Sequence, residues 1–221
     1  MSELKNVIDG GYCIGCGACS YTSRDSVEIV EDEYRQYQGR IKPGAKSADL
    51  DKALEVCPFS NKGPNEDEIS QNVFNYSEGS YTEVVGFHRA LYAGHVSEEA
   101  LRTKVTSGGI LTYTLSELLK RDLVDAVVHI KTSEKTGTLF EYGFSRTPEE
   151  VVQGAKSRYY PIELSEVMDF IRKNDGRYAF VGIPCFIKTA RRMCRQDKVL
   201  AERTEAYTSY NCLPEKNLNK V

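Results

Sequence analysis

The stretch Cys13-Ile14-Gly15-Cys16-Gly17-Ala18-Cys19, followed far downstream by Cys57-Pro58, decides how the first quarter of this chain folds. Two-residue spacers let a loop curl around one corner of a polynuclear centre and present successive thiolates to different metals. Gly15 and Gly17 suit that curl, because glycine reaches positive φ without steric cost and brings amide N–H groups close to anionic sulfur. The remote Cys57 closes the set, and Pro58 stops a helix from carrying its thiolate away.

C-x-x-C-x-x-C with a later C-P is the ligation pattern of bacterial-type ferredoxins, and four ligands serve one [4Fe-4S] cluster. A second cluster of that type requires another such run, which the chain lacks. Zinc is the competing reading, since four cysteines also hold Zn²⁺ tetrahedrally, but zinc sites usually come as two C-x-x-C knuckles. The spacing favours iron–sulfur over zinc, and either over purely structural thiols.

Outward from the cysteines, the 221 residues give room for one large domain or two small ones. The charge of −3, from 29 basic and 32 acidic side chains, leaves no electrostatic footprint for nucleic acid. The longest apolar run, Leu123 to Ile130, contains Asp125 and is far short of the roughly 20 residues of a membrane helix, so no membrane span is expected. Met1 to Lys5 lacks the pattern of a secretory signal. Seven cysteines, an odd number, then fit a reducing cytoplasm and metal or redox chemistry better than a disulfide framework.

The pattern predicts an α+β chain: a small ferredoxin-like [4Fe-4S] module at 1–62, a linker at 63–80 with a boundary near 75, and an α/β flavin-binding-type domain at 81–221. In the first part, strands are expected at Ser26–Val30 and Tyr34–Ile41, then a helix from Ala48 to Val56, capped by Ser47, that delivers Cys57. In the second, strands are expected at Val84–Val96, Leu123–Ile130, Leu139–Phe144 and Tyr178–Val181. Helices are expected at Glu98–Lys104, Ile110–Arg121 and Leu164–Asn174.

Three loops of the second part could hold a cofactor. Ser107-Gly108-Gly109 opens the best-defined helix, where free N–H groups and the helix dipole favour phosphate, although many such pairs are only turns. Gly182-Ile183-Pro184-Cys185 stands at the carboxyl end of a strand, where open α/β sheets gather ligands; a plain strand-to-helix turn with a packed thiol is the alternative. Gly154 to Pro161 combines Lys156 and Arg158 with Tyr159 and Tyr160, a set able to meet pyrophosphate and stack on a ring, or simply to be a solvated surface.

Together these segments resemble the beta-subunit family of coenzyme F-420 (deazaflavin) hydrogenases and dehydrogenases. The elements that carry the resemblance are Cys13/Cys16/Cys19 with Cys57-Pro58, Ser107-Gly108-Gly109, Ser157-Arg158-Tyr159, and Gly182-Ile183-Pro184-Cys185, in that order. The resemblance implies an oxidoreductase subunit, an iron–sulfur flavoprotein in which FAD exchanges single electrons with the cluster and hydride with a deazaflavin or another redox partner, protein or complex subunit. It implies that Ser107, Gly108 and Gly109 sit against FAD phosphate, with Ser157, Arg158 and Tyr159 beside the same cofactor and Gly182 and Cys185 near it. Members usually run longer, so the resemblance also implies an α/β domain that is incomplete at Val221. Ile162 replaces a polar residue often found after the S-[KR]-Y segment. From a different class comes the alternative of a non-enzymatic electron-transfer or interaction protein that keeps the cluster and has lost flavin binding.

Of the remaining cysteines, Cys194 reads as a packed thiol and Cys212 has no assignable role. His88, His95 and His129 read as packed or surface side chains, and the pairs Glu149-Glu150 and Arg191-Arg192 as solvated helix faces.

Overall fold

The computed structural model describes residues 3–73 and 79–209. The expected boundary near 75 and Cys212 lie outside them.

The N-terminal part consists of α1 (Glu3–Asp9), the cysteine loop, α2 (Ala18–Thr22), an antiparallel hairpin of β1 (Val27–Glu31) and β2 (Tyr37–Ile41), and α3 (Ser47–Val56). Leu4, Val27, Ala53 and Leu54 form its core together with Cys19. Ser47 lies inside α3 and is not its cap. The cap position is Lys46, which makes no side-chain capping bond. Ser26 and Ser23 instead hold the start of the helix from outside, through the Asp49 carboxylate at 2.8 Å and the Asp49 carbonyl at 2.6 Å.

The stretch read as a linker holds a helix, α4 (Glu66–Val73), opened by a reciprocal pair in which Asn65 and Glu68 side chains each accept from the other's amide. After it comes a hairpin of β3 (Ser80–Thr82) and β4 (Gly86–His88). The strand expected over Val84–Val96 shrinks to β4. Its apolar residues have no sheet to cover, and Val84 and Tyr92 are each 91% exposed.

A four-stranded sheet organises the rest, in the order β6 (Phe140–Ser145), β5 (Ala126–Thr132), β7 (Tyr178–Gly182), β8 (Thr204–Ser209), with β5, β7 and β8 parallel and β6 antiparallel at the edge. Side chains alternate across it. Val127, Ala179 and Val181 pack on Leu115 of α6 (Ile110–Lys120) and Val151 of α7 (Pro148–Gln153). Ala126, Val128, Tyr178 and Phe180 pack on the opposite side against α8 (Ser165–Lys173), α9 (Pro184–Gln196) and α10 (Lys198–Arg203). Strands covered on both faces read as unbroken apolar runs, which is why Leu123–Ile130 and Tyr178–Val181 stood out. A one-turn helix, α5 (Glu99–Arg102), precedes α6 and has Glu98 at its cap position.

The same core that covers one face of the sheet contains Cys16, Ala18 and Val56. The cysteine loop is thus built into the side of the α/β layers. No helix among the described residues is long and apolar enough to cross a membrane.

Candidate functional site

Cys13, Cys16, Cys19 and Cys57 line one cavity, closed by Leu4, Val7, Ile8, Ile29 and Phe59. Gly15 and Gly17 take φ of +63° and +80°. Their need for glycine is also spatial: a Cβ on Gly15 would stand 2.1 Å from the Tyr37 carbonyl oxygen, and one on Gly17 would stand 2.3 Å from Glu163 Oε2. The Gly39 amide donates to Cys13 Sγ at 3.3 Å, and a Cβ at Gly39 would touch the sulfurs of both Cys19 and Cys13.

Electrostatics report the same gathering. Burial pushes the Cys16 thiol well above its ordinary pKa, and the charges of Cys19, Cys57 and Cys13 push it further. Burial, then Cys13 and Cys57, raise Cys19 to about 12. Burial raises Cys57 as well, with Cys13 adding to it and Arg192 opposing it. Burial in this apolar cavity thus disfavours the thiolate forms of Cys16, Cys19 and Cys57, and positive charge entering it would offset that cost. Among the described residues no three His, Cys, Asp or Glu side chains converge closely enough for a single ion.

Beside this cavity runs a groove lined by Cys13, Ile14, Gln36, Tyr37, Tyr159, Tyr160 and Pro161. It brings the Ser157-Arg158-Tyr159 segment to the cysteine loop, a proximity that spacing along the chain does not announce. The segment crosses the edge strand: the Leu139 amide donates to the Tyr160 hydroxyl at 3.3 Å, and the Arg158 guanidinium lies 5.2 Å from the centre of the Phe140 ring. Tyr159 is 98% exposed and Ile162 is buried.

Ser107-Gly108-Gly109 forms the turn before α6, whose first residue follows Gly109, with no side chain capping its amides. Ser107 is exposed and has φ +54°. A Cβ on Gly108 would meet the Gly94 carbonyl oxygen at 2.7 Å, and one on Gly109 would meet Val105 Cγ2 at 2.6 Å, so both glycines are also demanded by packing. Gly182 is buried at the carboxyl end of β7 under the Tyr142 hydroxyl, and Cys185 sits in the first turn of α9, half-buried. Since α6 runs back into β5 and α9 leaves β7, the topology puts both turns at the carboxyl end of the parallel strands.

Sequence reasoning missed one residue outright. Arg192, expected on a solvated face, is 2% exposed, and its guanidinium donates to the carbonyls of Cys57, Ser60, Gly63 and Pro64. Its neighbour Arg191 lies over the Tyr207 ring. The helical spacing of Phe186, Thr189 and Met193 put the buried face within one residue of Arg192, the signal that could have found it. Glu150 also departs from a plain solvated face: its side chain accepts from the amide of Arg146, just before the cap, at 2.8 Å, while Thr147 caps the Glu150 amide at the start of α7. Cys194 is indeed packed, 2.9 Å from the Tyr207 hydroxyl. His129 is buried against Ser145 Oγ at 2.7 Å, while His88 and His95 bond to nearby carbonyls.

The cysteine cavity thus lies beside a mostly parallel sheet, and the comparisons with known proteins bear on part of the chain. Residues 91–169 match the family described as Coenzyme F420 hydrogenase/dehydrogenase, beta subunit N-term. The match takes in Ser107-Gly108-Gly109 and Ser157-Arg158-Tyr159 but neither the cysteine run nor Gly182 to Cys185. No curated protein matches the chain. Among solved structures, a chain of the F420-reducing [NiFe] hydrogenase complex of Methanosarcina barkeri is 15% identical with a TM-score of 0.46, over 57% of this chain and 47% of that one. The matched part is thus about half that chain's length.

Proposed function

We propose that this chain is an iron–sulfur flavoprotein subunit that passes electrons between a [4Fe-4S] cluster held by Cys13, Cys16, Cys19 and Cys57 and FAD bound by the α/β layers. The observation that carries the reading is the groove that joins Tyr159 and Tyr160 to Cys13 and Ile14. A ring stacked on those tyrosines would lie within a short electron-transfer distance of the cluster.

The four thiols line one cavity, and their spacing along the chain, a triple run with a remote C-P, fits a polynuclear centre better than the paired knuckles of zinc sites. A bound cluster would supply one-electron chemistry, and bound FAD would convert between single electrons and hydride. The chain's own contributions are an amide donor to Cys13 from Gly39, an apolar wall that excludes water, and cationic and aromatic side chains at 156–160 for a phosphate and a ring. Ser107 and the first-turn amides of α6 would take a phosphate, with Gly182 and Cys185 at the same end of the sheet. The hydride partner would be a deazaflavin or another redox carrier, and the electron partner another subunit.

A second reading, an electron-transfer or interaction protein without flavin, draws on one observation: packing alone already explains Gly108 and Gly109. Cofactor analysis of anaerobically purified chain decides. About four irons and four sulfides with one FAD, bound as isolated or after reconstitution, support the proposal. Four irons without any flavin uptake would leave the second reading, and a colourless zinc protein would sink both.

A further inference from the structure

The buried Arg192 has no counterpart in the proposal above. Its five hydrogen bonds all go to main-chain carbonyls: Nη1 to Cys57 and to Ser60 at 3.3 Å, Nη2 to Gly63 at 2.8 Å and Pro64 at 2.7 Å, and Nε to Pro64 at 2.9 Å. Among the described residues no carboxylate is hydrogen-bonded to it. Glu66 is held at 3.0 Å by Lys188, and it and Glu68 act on Arg192 only through their charge. A buried cation left with dipoles alone is costly unless an anion is near, and a side chain whose only task was to tie down a loop would not need a charge. Cys57, whose carbonyl the guanidinium already holds, acts on Arg192 more strongly than Glu66 or Glu68 does, and each of the pair acts electrostatically on the other.

One helical turn earlier, Thr189 Oγ1 donates to the Val56 carbonyl at 3.3 Å. α9 therefore holds the main chain on both sides of the Cys57 Cα, one contact neutral and the other cationic. Gly63 is shaped to the arrangement: a Cβ there would stand 2.8 Å from the Arg192 Cζ.

We infer that Arg192 is a positioning residue that fixes Cys57 and supplies the cation balancing the negative charge of the cluster, thereby raising its reduction potential. The inference rests on the cluster reading above. One-electron reduction adds negative charge to a cluster already ligated by four thiolates, and a fixed buried cation stabilises the reduced form more than the oxidised one. The guanidinium suits the task because it stays protonated when buried and its fork reaches several carbonyls at once.

The test is an EPR-monitored redox titration, with iron analysis, of full-length wild type, Arg192→Lys, Arg192→Gln and Thr189→Val. Arg192→Gln is expected to move the midpoint potential negative. Arg192→Lys, which keeps the charge, and Thr189→Val, which loses only a neutral clamp, should stay close to wild type. If Arg192→Gln cannot keep its iron, Arg192→Lys decides: a cluster retained at the wild-type potential supports the charge. An unchanged potential in Arg192→Gln, or loss of iron in both Arg192 variants, would show that the side chain acts by packing and overturn the inference. Wild type without a cubane signal would instead remove the reading beneath it.

Discussion

The Leu164 amide donates a 2.8 Å hydrogen bond to the carbonyl of Cys16, so the middle of the cysteine loop is fastened to the residue that opens α8. Gly17 follows at φ +80°, with its Cα side against Glu163, whose carboxylate in turn accepts from the Ser165 amide at 2.6 Å. Cysteine loop and sheet layers are joined through main chain, a stiffer connection than side-chain contact.

That junction makes Gly17→Ala a severe change. A side chain in the left-handed region costs about 1–2 kcal/mol, and the collision with Glu163 adds to it. Urea unfolding is expected to show a loss of roughly 2–3 kcal/mol, with less iron per chain. Glu163→Ala in the same background removes part of the collision and should recover part of the loss.

Cysteine substitutions separate the roles of the thiols. Serine at Cys13, Cys16, Cys19 or Cys57 is expected to abolish or deplete the cluster, seen as loss of brown absorbance and iron. Cys194→Ser should leave iron at the wild-type level and cost about 1 kcal/mol through its contact with Tyr207. Depletion of iron in Cys194→Ser would assign the ligands differently.

Burial, and then the positive charge of Lys131, hold the His129 ring at a pKa of about 4 instead of the usual 6.5. Between those values the unfolded chain takes up a proton that the folded one refuses, so stability falls as pH drops from about 6.5 towards 4. The full effect is about 3 kcal/mol. Urea midpoints measured from pH 7 to 5 should decline in wild type and much less in His129→Asn. Parallel declines would place the titration elsewhere.

What the sequence made legible follows from how local each signal is. The turn of Cys13 to Cys19 is written in seven residues, and both positive-φ glycines were found there. The buried strands β5 and β7 and the helix α6 were also readable, because their apolar periods are self-contained. Arg192, Gly39 and the meeting of Tyr159 with Cys13 were not. Each depends on contacts between segments more than 20 residues apart, and an arginine on an amphipathic helix looks the same whether it points to water or to a carbonyl cage. The exposed run after Val84 misled for the converse reason: apolar alternation suggests a strand only if a partner exists to receive it.

The phosphate end of the proposed flavin site calls for a variant that leaves the fold intact. Gly109 is unsuitable, since φ +76° and the contact with Val105 make Gly109→Ala destabilising whether or not flavin binds. Ser107 is exposed, and aspartate tolerates its φ of +54°. A carboxylate there faces the positive end of α6, so Ser107→Asp is expected to fold as well as wild type or slightly better, by up to about 1 kcal/mol. The same charge would repel a phosphate held by those amides. FAD affinity, followed by flavin fluorescence, should therefore fall at least about tenfold while thermal stability holds. Arg158→Ala, at the opposite side of the proposed site, should weaken FAD by a similar factor. Unchanged affinity in Ser107→Asp combined with a loss in Arg158→Ala would keep the ring beside the cysteine loop and move the phosphate away from α6.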